Sequence, residues 1–270
     1  MSRSQYTIDD LLRVMERLRD PEHGCPWDLR QDFASIVPST LEECYELAHA
    51  IEEQDFGHVA EELGDVLFQV IFYSQLGREQ QLFEFGEIVD TLVAKLVRRH
   101  PHVFANGDIE GVVGGDITEA EVNASWEAIK QQERGERDLH DILADVPVAL
   151  PALPRAQKLQ KRAASVGFDW PDVEPVLEKL EEEIGELRAA LREGEAAEIE
   201  SEMGDVLFSG VNLARHLKLD AETTLRRASS KFEQRFQAME KIARKNGESL
   251  DQLDEAALDA LWERAKAAQS

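Results

Sequence analysis

The chain has 270 residues, of which 43% are hydrophobic, so it is long enough to bury one or two apolar cores. Its formal net charge is −25, which excludes broad, sequence-independent binding to nucleic acid, because that binding needs Lys and Arg to neutralise phosphates. The first ten residues lack the apolar stretch of a signal peptide, and no long apolar run follows, so we expect a cytoplasmic protein without a membrane span.

Apolar residues recur with a period near 3.6 residues, which is typical of amphipathic helices. Three such stripes follow one another in the first half: Ile8-Leu11-Leu12-Met15-Leu18, Leu41-Cys44-Leu47-Ala48-Ile51 and Leu63-Val66-Leu67-Val70-Ile71. Three more follow in the second half: Val176-Leu180-Ile184-Leu187-Leu191, Met203-Val206-Leu207-Val211-Leu213 and Thr224-Leu225-Ala228-Phe232-Phe236. No segment alternates convincingly like a strand. The sequence therefore predicts an all-α fold with a small helical bundle in each half.

The segment between the halves, Gln131 to Pro154, has the composition of a connector. It is first charged and then interrupted by Pro147, Pro151 and Pro154. Proline lacks the N–H that a helix interior requires, so its repeated use interrupts helices. We place the domain boundary near residue 145, which predicts two domains, 1–145 and 146–270.

An acidic heptapeptide occurs twice, as Glu62-Leu63-Gly64-Asp65-Val66-Leu67-Phe68 and as Glu202-Met203-Gly204-Asp205-Val206-Leu207-Phe208. A Glu-x-x-Glu pair precedes each copy, and all four carboxylates of one half are repeated in the other at an offset of 140 (183 − 43 = 202 − 62 = 140). The eight positions are Glu43, Glu46, Glu62 and Asp65, then Glu183, Glu186, Glu202 and Asp205. We interpret this as one acidic site that was duplicated.

The spacing within each copy points to a metal site. Residues three apart lie on the same face of a helix, so two packed helices would bring four carboxylates together. Such a cluster raises the pKa of its members unless a divalent cation compensates the charge. Mg²⁺ prefers oxygen ligands and shares its coordination with substrate phosphates, whereas iron or manganese in a bundle normally recruits Glu-x-x-His pairs, which neither acidic heptapeptide contains. A polyphosphate substrate, an attacking water and one carboxylate as general base then form a hydrolytic set.

At these residues the chain resembles the MazG nucleoside triphosphate pyrophosphohydrolases over nearly its whole length. Both halves have that family's pattern of Glu-x-x-Glu, spacer and Glu-x-x-Asp. Further matching stretches are Leu18-Arg19-Asp20-Pro21 with Gly24-Cys25-Pro26-Trp27-Asp28, Arg98-Arg99-His100-Pro101-His102-Val103-Phe104, and Gln157-Lys158-Leu159-Gln160-Lys161-Arg162 running to Val166-Gly167-Phe168-Asp169-Trp170. The chain looks like a bacterial member with two repeats.

The resemblance implies an all-α homodimer that hydrolyses nucleoside triphosphates to monophosphate and pyrophosphate, with Mg²⁺ as cofactor and Mn²⁺ as the alternative ion. It assigns the metal and catalytic roles to Glu183, Glu186, Glu202 and Asp205, with Glu43, Glu46, Glu62 and Asp65 as the counterpart metal ligands. It also implies substrate-binding positions at Lys179, Lys231, Arg235, Trp262 and Lys266. The corresponding residues of a second site in the first half are Lys95, Arg99, Trp126 and Lys130.

The two halves differ in the cations near their acidic residues. The second half supplies Lys158, Lys161, Arg162 and Lys179, whereas the counterpart of Lys179 is Ser39 (179 − 140 = 39). Because a triphosphate needs compensating charge, we expect the second site to dominate turnover. Two alternatives stay open: a pyrophosphatase dedicated to one nucleotide, such as dUTP or phosphoribosyl-ATP, and a non-catalytic acidic helical regulator.

Overall fold

The computed structural model describes residues 5–112, 118–119, 121–122, 125–126, 128–129, 133 and 141–268. The chain divides into two compact units, Met1–Gln131 and Gln132–Ser270. Within the described ranges the regular structure is α-helical, apart from short 3-10 turns and an isolated bridge between Phe104 and Val112. The predicted all-α fold is confirmed. The boundary near residue 145 stays a prediction, because part of the segment before it lies outside the described residues.

Four long helices lie in the described part of the first unit. They are α1 (Ile8–Leu18), α2 (Phe33–Glu52), α3 (Phe56–Glu79) and α4 (Phe85–Arg99). The side chains of Thr7, Asp32 and Asp55 cap the first three helices by accepting hydrogen bonds from backbone N–H groups three residues on. Only a short loop separates α2 from α3, so the two helices fold back on each other as a hairpin and pack along their lengths.

The core of the first unit forms where α1 and α2 pack against α3. Its fully buried side chains are Met15, Ile36, Ile71, Phe72 and Leu76. Arg19, directly after α1, donates from Nη2 to Glu79 Oε2 at 2.7 Å and so ties that helix end to the end of α3. Helix α1 is thereby fixed to the α3 side of the hairpin.

The second unit contains five helices within its described part. They are α5 (Ala152–Ala164), α6 (Glu174–Glu193), α7 (Ala196–His216), α8 (Ala221–Lys245) and α9 (Glu255–Ala267). Helix α6 ends at Gly194, whose φ of +81° is a left-handed conformation that glycine adopts without steric cost. That turn reverses the chain, so α6 and α7 form a hairpin that corresponds to α2 and α3.

A separate core joins α8 to α9, and it consists of Met239, Ala243, Leu261 and Ala265. The small alanines let the two helices approach closely along this seam. Helix α5 packs against both α7 and α8 and connects the hairpin to this pair. Gln160 contributes from α5 by donating from its amide to the carbonyl of Phe208 at 2.8 Å.

A partly exposed polar cluster fastens the loop before α6 to the end of α7. Asp169 accepts from Arg215 Nη1 at 2.9 Å and lies 3.0 Å from His216 Nε2. The hydrogen bonds from Arg215 hold the pKa of Asp169 down at about 2. Asn212, itself buried, accepts from Arg215 Nε at 3.0 Å and fixes the guanidinium. Asp169 therefore stabilises the second unit in its ionised form.

Replacing Asp169 with Asn should lower the free energy of unfolding by about 0.5–1 kcal/mol at pH 7, because Arg215 loses its charged acceptor and solvent screens part of that interaction. An ordinary aspartate has a pKa of about 4, and here folding lowers it to about 2. The stabilisation is thus complete above about pH 4 and is lost as the pH falls towards 2. Urea unfolding of D169N and wild type at pH 7 and pH 2.5 measures this difference.

The matched control for D169N is D259N, which removes an exposed carboxylate on α9 and should change little. An equal difference between D169N and wild type at both pH values would contradict the assigned role of the Asp169 charge.

Candidate active site

The first hairpin brings three carboxylates together. Glu43 and Glu46 lie one turn apart on α2, and Glu62 faces them from α3; one oxygen of each lies within 4.8 Å of the others. This arrangement follows from local sequence, because the Glu-x-x-Glu spacing puts both α2 carboxylates on one face and the short loop then brings α3 alongside. The first acidic cluster is defined here as Glu43, Glu46 and Glu62.

The second hairpin repeats the arrangement. Glu183 and Glu186 on α6 and Glu202 on α7 offer carboxylate oxygens that are again within 4.8 Å of one another. These three residues are the second acidic cluster. Each unit thus builds the same three-carboxylate group from its own helix pair, as the offset of 140 predicts.

Each acidic cluster contains one buried glutamate, but the buried member differs. In the first cluster it is Glu62 on α3, which is 5% exposed, and in the second it is Glu183 on α6, which is 6% exposed. The counterpart of Glu183 in the first cluster is Glu43, which is only half-buried. The duplicated site has therefore diverged in which helix supplies its buried carboxylate.

A basic side chain one helical turn earlier contacts each buried glutamate. His58 Nε2 lies 2.6 Å from Glu62 Oε1, and Lys179 Nζ lies 2.8 Å from Glu183 Oε1. Lys179 also contacts Glu182 at 3.0 Å, and the hydrogen bonds to Glu183 and Glu182 raise the pKa of its ammonium. Each pair has the i, i+4 spacing at which opposite charges meet on a helix.

The electrostatics of both clusters are those of crowded carboxylates. Burial, then the charges of Asp65, Glu46 and Glu62, raise the pKa of Glu43. Desolvation and the charge of Glu183 likewise raise the pKa of Glu186, and Lys179 opposes this. A divalent cation between the carboxylates would remove this repulsion.

The donor set fits such a cation. All three groups in each cluster are oxygen donors, the ligand type that Mg²⁺ prefers, and one oxygen of each lies within 4.8 Å of the others. Glu62 Oε2 is buried and has no hydrogen-bond partner, which leaves a charged oxygen available for a metal. Glu186 and Glu46 are exposed, so the clusters open to solvent and can accept a substrate.

The fourth predicted carboxylate of each half lies outside these groups. Asp65 and Asp205 are exposed on α3 and α7, one turn after Glu62 and Glu202. The charge of Asp65 nevertheless acts on Glu43, so this side chain belongs to the same electrostatic site. The metal-ligand role of Asp65 and Asp205 stays a prediction.

Four of the five substrate-binding residues predicted in the second half lie on α8 and α9, which pack together, and the fifth, Lys179, lies on α6. The Arg235 guanidinium lies 5.9 Å from the centre of the Trp262 ring, which also packs on Phe232 at 5.4 Å. Lys231 is one turn before Arg235 and is exposed; Lys266 is one turn after Trp262 and contacts Glu263 at 2.5 Å. We call Lys231, Arg235 and Lys266 the basic trio.

The corresponding residues of the first half occupy α4 and the segment after it. Lys95 and Arg99 lie one turn apart on α4, and the Trp126 ring packs edge-on against His100 at 5.2 Å. By sequence offset the counterpart of His100 is Phe236 (236 − 100 = 262 − 126 = 136), whereas the ring that packs on Trp262 at 5.4 Å is that of Phe232. Lys130, the last predicted residue of this site, lies outside the described residues.

Two features of the site escaped the sequence argument. Neither acidic heptapeptide contains a histidine, but His58 lies one turn before the first of them. The sequence feature that indicates His58 is its i, i+4 spacing to Glu62. Lys179 and Arg162 were counted as cations for a triphosphate, but Lys179 contacts Glu183 and Arg162 contacts Asp145. Their contact with substrate stays a prediction.

The comparisons with known proteins agree with this geometry. The family model described as "MazG nucleotide pyrophosphohydrolase domain" matches the chain twice, at residues 31–104 and 172–256. The Escherichia coli K12 protein named nucleoside triphosphate pyrophosphohydrolase is 48% identical over 261 residues, which cover 96% of this chain and 97% of that protein.

A Thermotoga maritima protein, named nucleoside triphosphate pyrophosphohydrolase/pyrophosphatase MazG, is 44% identical over 266 residues, or 98% of each chain. A crystal structure of a MazG-related protein from Thermotoga maritima also matches, with a TM-score of 0.38 and 22% identity over 46% of this chain and 98% of that one. The two domain matches each contain one acidic cluster, and the chain belongs to the MazG family of nucleotide pyrophosphohydrolases as a member with two tandem repeats.

Proposed function

We propose that this chain hydrolyses nucleoside triphosphates, both ribo- and deoxyribonucleotides and including modified ones, to monophosphate and pyrophosphate. This reaction is the one that the family description and the names of the relatives give. The observation that carries the proposal is the second acidic cluster, in which three carboxylates from two helices lie within 4.8 Å. Such a group suits a divalent cation bound together with a polyphosphate.

Mg²⁺ is the cofactor that we propose, because all donors are carboxylate oxygens and the site is open to a phosphate ligand; Mn²⁺ is the alternative ion. When bound, the ion neutralises charge on the triphosphate and polarises a phosphoryl oxygen. Glu183 and Glu202 hold the ion from the two helices, with Asp205 one turn further on. Glu186 faces solvent and is the member of the cluster best situated to take a proton from an attacking water.

The basic trio completes the proposed substrate site. Lys231, Arg235 and Lys266 offer cations on α8 and α9, and Trp262 offers an apolar ring beside the guanidinium. Guanidinium and ammonium groups bind phosphate through charge-assisted hydrogen bonds. The Lys179 ammonium already contacts Glu183, so it would have to contact Glu183 and the substrate phosphate together.

Turnover should depend mainly on the second cluster. Lys179 on α6 places a positive charge beside that cluster, whereas the corresponding position on α2 is the uncharged Ser39. A triphosphate approaching the first cluster therefore meets less compensating charge. We assign the first cluster to a weaker second site or to a regulatory copy. Cytoplasmic location and the lack of direct nucleic-acid binding stay predictions that depend on composition and charge.

Homodimer formation is also proposed. Large apolar side chains are exposed beside both acidic clusters, on α2 and α3 and on α7 and α8; they include Leu41, Tyr45, Leu63, Leu67, Met203, Leu207, Phe208, Leu225, Phe232 and Phe236. Monomeric proteins rarely expose contiguous apolar surface on this scale. A second copy of the chain is the partner that the family resemblance implies.

Sedimentation equilibrium at micromolar concentration tests the dimer. We expect a mass of twice the 30.5 kDa of one chain. A mass of one chain across the whole concentration range would contradict the proposal.

The reaction is tested by incubating the chain with a panel of ordinary and modified triphosphates. With Mg²⁺ we expect monophosphate and pyrophosphate in equal amounts, and an excess of EDTA should abolish turnover until Mg²⁺ is restored. Diphosphate plus phosphate as products would contradict the reaction class. Turnover of one substrate alone would favour the dedicated pyrophosphatase, and none at all would favour the acidic regulator.

The assignment of turnover to the second cluster is tested with matched substitutions. Glu202→Ala should lower kcat by about 100-fold or more, because it removes a metal ligand, whereas Glu62→Ala should leave most of the turnover. Lys231→Ala should lower kcat/KM by about 10- to 100-fold through loss of a charged phosphate contact, and Lys95→Ala much less. The reverse order within either pair would overturn the assignment.

A further inference from the structure

The buried glutamate of the first acidic cluster has two unequal oxygens. Glu62 Oε1 lies 2.6 Å from His58 Nε2, while Glu62 Oε2 is buried and has no hydrogen-bond partner. An ionised carboxylate only accepts hydrogen bonds, so the imidazole nitrogen that meets Oε1 carries the proton. One oxygen is therefore held by the protein, and the other is left for a ligand.

An unpartnered, buried carboxylate oxygen is costly, because its charge has lost water without gaining a donor. The nearest groups that share its site are the carboxylates of Glu43 and Glu46, which repel it. A cation is the ligand that satisfies all three groups. The contact with His58 occupies Oε1 and restrains the Glu62 side chain, while Oε2 stays without a protein donor.

The second acidic cluster has a similar contact between a basic side chain and its buried glutamate. There Lys179 Nζ holds Glu183 Oε1 at 2.8 Å, also from one turn earlier on the same helix. The contacting residue lies on the second helix of the first hairpin, but on the first helix of the second hairpin. Neither residue is repeated in the other half, since the counterpart of His58 is Glu198 (198 − 58 = 140) and that of Lys179 is Ser39. Each cluster thus has one buried glutamate that a basic side chain contacts, although the contacting residue occupies a different position in each repeat.

We propose that His58 is a positioning residue for the divalent cation of the first acidic cluster, acting through Glu62. This inference rests on the proposed metal dependence of the family site, and it adds a residue that the acidic pattern does not contain. Outer-shell partners that orient metal ligands typically contribute 10- to 100-fold to metal affinity. His58 should contribute on that scale.

The test measures Mn²⁺ binding by the full chain without nucleotide, from the loss of the EPR signal of free Mn²⁺. The parent for this series carries E202A, so that the second cluster is silenced. We expect one bound ion in the parent, about 10- to 100-fold weaker binding in H58A, and recovery in H58Q, whose amide donates to Glu62 across the same i, i+4 spacing.

The matched control is E198A in a parent carrying E62A, where only the second cluster binds. Glu198 occupies the position of His58 in the second repeat, and its loss should cause no decrease in Mn²⁺ affinity. His58 has 45% of its side chain exposed, so H58A should keep its fold, which far-UV circular dichroism and the unfolding temperature without metal verify.

Three results would overturn the inference: no ion bound by the E202A parent, unchanged affinity in H58A, or equal weakening in H58A and H58Q. Because nucleotide is absent, none of these results depends on which cluster performs turnover. Conversely, an error in the proposed reaction would appear in the product assay and leave the binding series interpretable.

Discussion

Repulsion among three carboxylates is the constraint on which each half of this protein depends. A helical hairpin brings two glutamates of one helix against one of the next, within 4.8 Å, and one of the three is almost fully buried. Such a group is stable only where cations compensate it. The residue one turn before the buried glutamate, His58 or Lys179, contacts one of its oxygens, and a bound metal would compensate the remaining charge. Helix caps, short turns and separate cores hold the hairpin in the geometry that makes this possible.

Duplication has preserved the ligands and changed what surrounds them. Glutamates at equivalent positions meet in both clusters, yet the buried one lies on the second helix of the first hairpin and on the first helix of the second hairpin. Histidine anchors one and lysine the other. The aromatic surroundings of the two tryptophans differ as well, with His100 in one repeat and Phe232 in the other. The two halves thus keep one carboxylate arrangement and differ in the basic and aromatic side chains around it.

Much of the fold and of the acidic site was predictable from local rules. Apolar periodicity indicated the helices, because each must bury one stripe of side chains. The Glu-x-x-Glu spacing indicated which carboxylates share a face, and the offset of 140 showed that the arrangement occurs twice. The relation of His58 to Glu62 was also local, but i, i+4 pairs of charged residues are so common on exposed helices that spacing alone did not single it out.

By itself, the sequence determined the helical class, the tandem repeat, the carboxylates available for a metal and the family to which the chain belongs, because each of these depends on residue type and spacing along one helix. Only the tertiary structure decided which glutamate is buried, which of its oxygens is left without a partner, and that Lys179 and Arg162 are engaged with neighbouring acids. Burial and pairing depend on how two helices rotate and approach each other. That relation is set by the packing of entire side-chain faces, which no single spacing in the sequence records.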